Sequence, residues 1–292
     1  MSTHRVPGAS VPPTDDSAIT GPIGRAPDRE PDFREAEHTT GFPDTPRRTP
    51  VTNVEPAALW LLPERAVDGF AGALGGPRLL AEEERARLER LRGQGARRRF
   101  LGARMLARYA LSARSGRPVH AWRFRTGPWG RPEPEPPCEG LRFNLSHTEG
   151  LIACVVTRGR DCGVDVECAP ASSDAVTHLV PHLADAERAE LAGLPPAVRA
   201  DRLSELWVLK EAYLKALGTG ITRGLAGFAF ATPPAGPITV HDPCRPSVAG
   251  DAWSFDLLRP APGYVLAVAV EHGRPGDLHR IDLADLADPP AA

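Results

Sequence analysis

LRFNLSHTEGLIACVVTRGRDCGVDVE, residues 141–167, is the stretch from which the fold can be worked out. Alternating apolar and polar residues at 141–145 predict a strand, and the continuous apolar run 151–156 predicts a buried one. After a second polar turn, residues 163–167 alternate again and predict a third strand. Strand, turn, strand, turn, strand in that order predicts an antiparallel meander.

Helical periodicity lies on both sides of this stretch. Residues 81–112 predict two helices broken near Gly93, and residues 184–192 and 199–217 predict two more, the last ended by Gly218. Further strands are predicted at 57–62, 226–231, 237–241, 252–258 and 264–271, a short helix at 65–74, and a Pro- and Gly-rich loop at 125–140. The order helices, meander, helices, strands predicts an α+β fold of two similar halves.

Composition limits the classes of partner and the cellular compartment that we expect for this chain. The 292 residues carry a net charge of −2, so no overall charge draws the chain to nucleic acid or to a membrane surface. We find neither a signal peptide nor an apolar run that could span a bilayer. Five cysteines without a CxxC pair predict free thiols and a cytoplasmic protein. Residues 1–53, rich in Pro, Thr, Asp, Gly and Arg, predict a disordered tail.

Asp165 and Glu167 are the first candidates for chemistry. Strand side chains alternate, so both carboxylates point to one face, and Val164 and Val166 point to the other. Carboxylates together with substrate phosphates are how proteins commonly hold Mg²⁺. The alternative is the solvated face of an edge strand.

The 35 basic side chains include only two lysines, Lys210 and Lys215. Lysine differs from arginine in its compact ammonium group, whose pKa can shift. Both lysines lie beside Glu211 on the helix predicted at 199–217. This arrangement suggests chemistry, although Glu211 and Lys215 are also spaced as an ordinary surface ion pair.

Ser146 and His147 end the strand that precedes the turn, where they could hold a phosphate or form a plain polar turn. Arg131 lies in a constrained loop upstream of them. Between Arg85 and Arg108 many arginines occur, which could meet phosphates, although a solvated helix face is the simpler interpretation for most of them.

Four segments together resemble one family. They are Trp129–Pro132 (WGRP), Phe143–His147 (FNLSH), Gly163–Glu167 (GVDVE) and Trp207–Lys215 (WVLKEAYLK). In order and spacing these segments are similar to the 4′-phosphopantetheinyl transferases of the larger, surfactin-synthetase-activating type. The resemblance extends over roughly residues 57 to 275 and implies a pseudo-two-fold fold whose two halves each have an antiparallel sheet and packed helices.

The resemblance implies an activity and a set of site residues. The enzyme would be a holo-acyl-carrier-protein synthase. It would transfer the 4′-phosphopantetheine arm of coenzyme A to a carrier-protein serine and release 3′,5′-ADP, with Mg²⁺. By resemblance, the metal carboxylates are Asp165, Glu167 and Glu211, with Glu211 also assisting deprotonation of the serine and Lys215 contacting the pyrophosphate. The implied coenzyme A contacts are Ser146, His147, Arg131, Arg87 and the group Arg97, Arg98 and Arg99. At one upstream position where relatives often carry a basic residue, this chain has Glu84.

The resulting hypothesis is a cytoplasmic, monomeric transferase that activates carrier proteins of polyketide or nonribosomal peptide assembly. We expect a tail at 1–53, an N-terminal half at 54–160 and a C-terminal half with the metal site at 161–285. Two alternatives stay open: a Mg²⁺-dependent pyrophosphate hydrolase, and a non-catalytic relative that binds carrier or coenzyme A.

Overall fold

The structure is a computed structural model that describes residues 55–127, 131–138, 140–218, 223–245, 253–274 and 276–284. The predicted tail, Trp129 and Gly130 lie outside these residues. The six α-helices of the described part are α1 (Val67–Leu74), α2 (Glu82–Arg90), α3 (Gln94–Ser115), α4 (Ser173–Leu179), α5 (Asp185–Ala192) and α6 (Pro196–Leu217). Its strands are β1 (Ala57–Pro63), β2 (Arg123–Thr126), β3 (Pro132–Glu135), β4 (Leu141–Thr148), β5 (Leu151–Arg158), β6 (Cys162–Cys168), β7 (Ala229–Ala231), β8 (Thr239–His241), β9 (Trp253–Leu258), β10 (Tyr264–Glu271) and β11 (Leu278–Asp282).

Two larger sheets carry the fold. The first has the strand order β11-β1-β5-β4 and the second the order β6-β10-β9. All neighbours in these sheets are antiparallel except β1 and β11, which run parallel. The first sheet contains the hairpin β4-β5, and β5 also pairs with the earlier strand β1. The second sheet contains the hairpin β9-β10, and β10 also pairs with the earlier strand β6. This repeated arrangement confirms the α+β fold of two similar halves.

The predicted meander is wrong at its third strand. β4 and β5 form a hairpin, but the other edge of β5 is occupied by β1, so β6 joins the second sheet. The outer edge of β6 is held by side chains instead of a strand, since the Val164 and Val166 amides donate to Asn144 Oδ1 (3.1 Å) and Ser146 Oγ (3.3 Å). Local order cannot reveal a partner that lies far away in the chain.

The layers are helix, sheet, sheet and helix. One apolar cluster joins α3 to the outer face of the first sheet, and another joins α6 to the outer face of the second. Between the sheets lies a third cluster that includes Leu59, Val155, Val164, Val166 and Val268. The α6 layer packs closely on β6 because Gly163 has no side chain: a Cβ there would lie 2.0 Å from the Ala212 carbonyl oxygen.

The helix and strand predictions are otherwise largely confirmed, with three differences. The predicted loop at 125–140 contains part of the β2-β3 hairpin, and α4 and β11 were not predicted. The break between α2 and α3 falls where expected, at Gly93, whose φ is +86°. The five cysteines are free thiols, as predicted. Among the described residues, no helix combines the length and apolar character needed to cross a membrane.

Candidate active site

β6 and α6 bring the predicted carboxylates together. Asp165 and Glu167 face α6, because Val164 and Val166 face the cluster between the sheets, as alternation predicted. Asp165, Glu167 and Glu211 are all buried, with 0%, 5% and 7% of their surfaces exposed. This exposure excludes the solvated edge strand that the sequence left open.

Lys215 provides the positive charge at this place. Its ammonium donates to Asp165 Oδ1 at 2.6 Å, to Ser146 Oγ at 3.2 Å and to the Val164 carbonyl at 3.3 Å. Burial lowers the pKa of Lys215, but Asp165 and Glu211 outweigh burial and raise it overall. Lys215 therefore pairs with Asp165 of β6 instead of forming the surface ion pair with Glu211 that was the alternative interpretation.

The three carboxylates share one charge environment. Burial, and next the charge of Asp165, raise the pKa of Glu167 to about 8 and that of Glu211 to about 7. Burial also raises the pKa of Asp165, against the opposing effect of Lys215. Removing charges from water is costly unless a partner of opposite sign is supplied.

Two of these carboxylates have unused oxygens. Asp165 Oδ2 and Glu211 Oε1 are buried without a hydrogen-bond partner. Even so, no three His, Cys, Asp or Glu side chains in the described part of the chain converge closely enough to hold a metal ion as they stand. The predicted set of Asp165, Glu167 and Glu211 is thus buried in one region but does not meet at one point, and the Lys215 ammonium lies against Asp165.

Ser146 lies within the hydrogen-bond network of Asp165 and Lys215. Its side chain is buried, and its hydroxyl donates to Asp165 Oδ1 at 2.9 Å while accepting from Val166 N and from Lys215. In this arrangement Ser146 orients Asp165 and closes the edge of β6. A phosphate would have to displace one of these partners to reach the hydroxyl.

His147 lies where the charges of Arg99 and Lys215 both reach it. Burial, followed by the nearby charges of Lys215 and Arg99, lowers the pKa of His147 to about 4. Arg99 donates to Glu64 Oε2 at 3.0 Å, and Glu64 also accepts from Gly150 N at 3.0 Å. Glu64 was missed from the sequence, because nothing near it in the chain marks its role. The positive charges of Lys215 and Arg99 near this imidazole would favour an anion, and the Arg99–Glu64 pair reduces that effect.

The remaining predicted basic residues are spread more widely. Arg131 donates to the carbonyls of Lys215 (3.2 Å) and Phe143 (2.9 Å) and so ties α6 to β4. Arg87 lies over the Phe100 ring at 5.7 Å, Arg98 pairs with Asp68 at 3.3 Å, and Arg97 is exposed.

Two further arginines correct the prediction of a solvated helix face. Arg104 and Arg108 are buried, with 8% and 0% of their surfaces exposed, and both pair with Glu84. The sequence pattern assigned no role to Trp207. Its buried indole N–H lies near the Glu167 carboxylate and favours the charged form of that carboxylate, against the effect of burial on the pKa of Glu167.

Comparison with known proteins identifies a family for this chain. Residues 161–269, which include β6 and α6, match the family model of the 4′-phosphopantetheinyl transferase superfamily. The chain is 32% identical over 193 residues to the 4′-phosphopantetheinyl transferase HetI of Nostoc sp., covering 65% of this chain and 78% of the relative. It is 25% identical over 171 residues to a 4′-phosphopantetheinyl transferase of Bacillus subtilis, covering 56% of this chain and 74% of the relative.

A solved structure also matches in part. It is the Thermotoga maritima holo-acyl-carrier-protein synthase, which is 20% identical with a TM-score of 0.30, over 39% of this chain and 64% of that chain. The membership itself follows from HetI, because the identity extends over more than two thirds of that relative. This chain therefore belongs to the 4′-phosphopantetheinyl transferase superfamily.

Proposed function

We propose that this chain transfers the 4′-phosphopantetheine arm of coenzyme A to a serine of an apo acyl or peptidyl carrier protein, releasing 3′,5′-ADP. Membership of the superfamily makes it an enzyme of phosphopantetheine transfer from coenzyme A to carrier proteins. One observation supports the detailed proposal most directly. Asp165, Glu167, Glu211 and Lys215 lie together between β6 and α6, and two of their carboxylate oxygens are unpartnered.

The oxygen donors present suit a divalent cation such as Mg²⁺, and the three carboxylates would have to move to meet at one ion. Hard cations take oxygen ligands, and the unpartnered Asp165 Oδ2 and Glu211 Oε1 are buried oxygens of that kind. Asp165, Glu167 and Glu211 would hold the ion once Lys215 turns toward the substrate. Bound there, Mg²⁺ would neutralise charge on the pyrophosphate, which is the chief demand of phosphoryl transfer.

Basic groups on the N-terminal half would hold coenzyme A. The charges of Arg99 and Lys215 both act on His147, and Arg87, on α2, lies over the Phe100 ring of α3 at 5.7 Å. Arg131 uses two of its donors on backbone carbonyls, and the guanidinium has further N–H groups that could reach a phosphate. Ser146 would contact phosphate only by giving up a present partner.

The chemistry then needs positioning and one proton transfer. The carrier serine oxygen attacks the phosphorus that bears the pantetheine arm, and the bond from that phosphorus to the ADP oxygen breaks. Glu211 accepts the serine proton, since a hydroxyl is a weak nucleophile without a base at hand. Lys215, freed from Asp165, would stabilise charge on the leaving 3′,5′-ADP.

A panel of apo carrier proteins tests this proposal. Incubation with coenzyme A and Mg²⁺ should add the mass of one phosphopantetheine arm to at least one carrier and release 3′,5′-ADP in equal amount. Release of phosphopantetheine without carrier would instead identify a hydrolase. Binding of coenzyme A without either product would identify a non-catalytic relative.

Matched variants locate the chemistry. Asp165→Asn and Glu211→Gln should each lower kcat by about 100-fold or more. Glu205→Gln provides the control, because this side chain lies on the same helix but pairs with Arg202 and Arg259 at the surface. Turnover near the wild-type rate in Asp165→Asn or Glu211→Gln contradicts the assignment.

Because both halves lie in one chain, we propose a monomer with an N-terminal half at 54–160 and a C-terminal half at 161–285. From its free cysteines and the family resemblance, we further propose a cytoplasmic protein that serves polyketide or nonribosomal peptide carriers. Light scattering at assay concentration measures the monomer mass directly.

A further inference from the structure

One buried ion pair of each half has a counterpart at the matching position of the other half. The segment Leu80–Leu88 (LAEEERARL) recurs as Leu183–Leu191 (LADAERAEL), with leucine, alanine, glutamate, arginine, alanine and leucine at the same spacing. In both copies the glutamate accepts from the backbone amide at the helix start, Ala81 N at 2.9 Å and Ala184 N at 3.1 Å.

The partner of each glutamate sits at the same position of a long helix. α3 and α6 are both 22 residues long, and Arg108 in the first corresponds to Lys210 in the second. Arg108 bonds Glu84 at 2.5 Å and lies over the Phe124 ring at 4.9 Å. Both Arg108 and Lys210 are fully buried, with none of their surface exposed.

Lys210 has a complete set of partners. Its ammonium contacts Glu187 Oε2 at 2.9 Å and donates to the carbonyls of Leu225 (2.8 Å) and Phe228 (2.7 Å), which matches the three donors of an ammonium. The ammonium also lies 4.3 Å from the centre of the Phe228 ring. Glu187 Oε1 accepts from Phe230 N at 2.9 Å, so this one point joins α6, α5 and the segment 225–230.

The two halves differ in the residue that follows. After Arg108 comes Tyr109, which packs edge-on against Phe70 with ring centres 5.5 Å apart. After Lys210 comes Glu211, about 100° further round the helix and directed at the β6 carboxylates. A buried basic group that cannot leave its partners fixes the rotation of the helix that carries it.

We propose that Lys210, held by Glu187, is the positioning residue that sets Glu211 and Lys215 against β6, whereas Arg108 and Glu84 are the duplicated pair that only holds the N-terminal half together. The inference rests on the proposed function for its kinetic readout. Its structural part is independent of that function.

Neutral variants test the difference, since removing both partners of a buried pair avoids leaving one charge unpaired. Lys210→Met with Glu187→Gln should lower kcat by about 10- to 100-fold and weaken Mn²⁺ binding, measured by electron paramagnetic resonance, by a similar factor. Arg108→Met with Glu84→Gln is the matched control, and Arg104→Met is added to it because Arg104 also pairs with Glu84 and would otherwise lose its partner. It should lower Tm comparably, change kcat by less than about threefold and leave Mn²⁺ binding unchanged.

The outcomes separate the two roles. Equal losses of kcat and of Mn²⁺ affinity in both neutral variants, at equal losses of Tm, overturn the positioning role. Should the Lys210 double variant fail to fold, Glu187→Gln alone is measured in the same way, because it keeps both carbonyl bonds of the ammonium. If the wild-type chain modifies no carrier, the proposed function is wrong. The comparison of Mn²⁺ affinities would still test the positioning role in that case.

Discussion

His147 and Ser146 are neighbours in the chain but work in different surroundings. Ser146 faces β6 and binds Asp165, whereas His147 lies in the field of Arg99 on α3 and of Lys215 on α6. Because burial and two cations disfavour its charged form, the free protein holds His147 neutral. Its protonation state therefore reports whether an anion enters this part of the site.

Titration of His147 by NMR tests the coenzyme A assignment. In the free protein its pKa should be about 4, below the ordinary 6.5, so between those values the unfolded chain binds more protons and stability rises with pH. Coenzyme A phosphates bring negative charge, so adding coenzyme A should raise the pKa of His147. The exposed His178 on α4 is the control, and its resonances should not respond. An unchanged His147 pKa under saturating coenzyme A contradicts the predicted contact.

The sequence could predict some of these residues better than others. Strand alternation correctly placed Asp165 and Glu167 on one face, since that face depends only on a period of two. The bonds of Ser146 to Asp165 and Val166 could not be predicted, because they join strands of different sheets. Lys210 stood out by its rarity, but its buried partners lie elsewhere in the chain.

At the scale of elements, the contact of α6 with β6 determines the site. Gly163 makes that contact possible: a Cβ there would lie 2.0 Å from the Ala212 carbonyl oxygen and 2.6 Å from Ala216 N, both backbone atoms of α6. Backbone atoms within a helix cannot move aside singly. Any side chain at this position must push the whole helix away from β6.

Gly163→Ala should accordingly lower the free energy of unfolding by about 3 kcal/mol or more, and abolish transfer in any fraction that folds. Gly72→Ala is the matched control. It lies in the exposed face of α1 with no atom within 4 Å of the added Cβ, so it should stabilise by about 0.5–1 kcal/mol. Denaturant unfolding measures both. A Gly163→Ala protein of wild-type stability and activity would mean that the close contact is dispensable.

Elements were predicted well where the helical signal is long and poorly where pairing is non-local. α3 and α6 were expected with nearly their observed bounds, because helix-forming residues accumulate over many positions and Gly218 ends α6. β11 was missed, since five half-exposed residues without a clear period give no local signal. The assignment of β6 to the β4-β5 sheet failed because β1 arrives from the N-terminal side and takes that edge.

At the scale of the whole molecule, duplication explains why we expect one active site and not two. The strand that corresponds to β6 is β1, whose Trp60 and Leu62 pack into the apolar cluster against α3. On α3, Tyr109 occupies the position that Glu211 has on α6. The N-terminal half thus repeats the frame and its buried ion pair but fills the matching surface with apolar side chains.

The segments at the two ends of the sequence should contribute differently to stability. β11 pairs parallel with β1 from Leu278 to Asp282, and its Ile281 packs on the cluster beneath α3. Removing residues 277–292 would expose the edge of β1, which is buried along its length, and should lower the free energy of unfolding by about 3 kcal/mol while promoting aggregation.

Removing residues 2–53 should leave Tm and transfer unchanged, because that composition predicts a segment unable to bury a core. Thermal melts and carrier modification compare the two truncations. A loss of stability on removing residues 2–53 equal to that on removing β11 would show that the frame extends into the N-terminal segment.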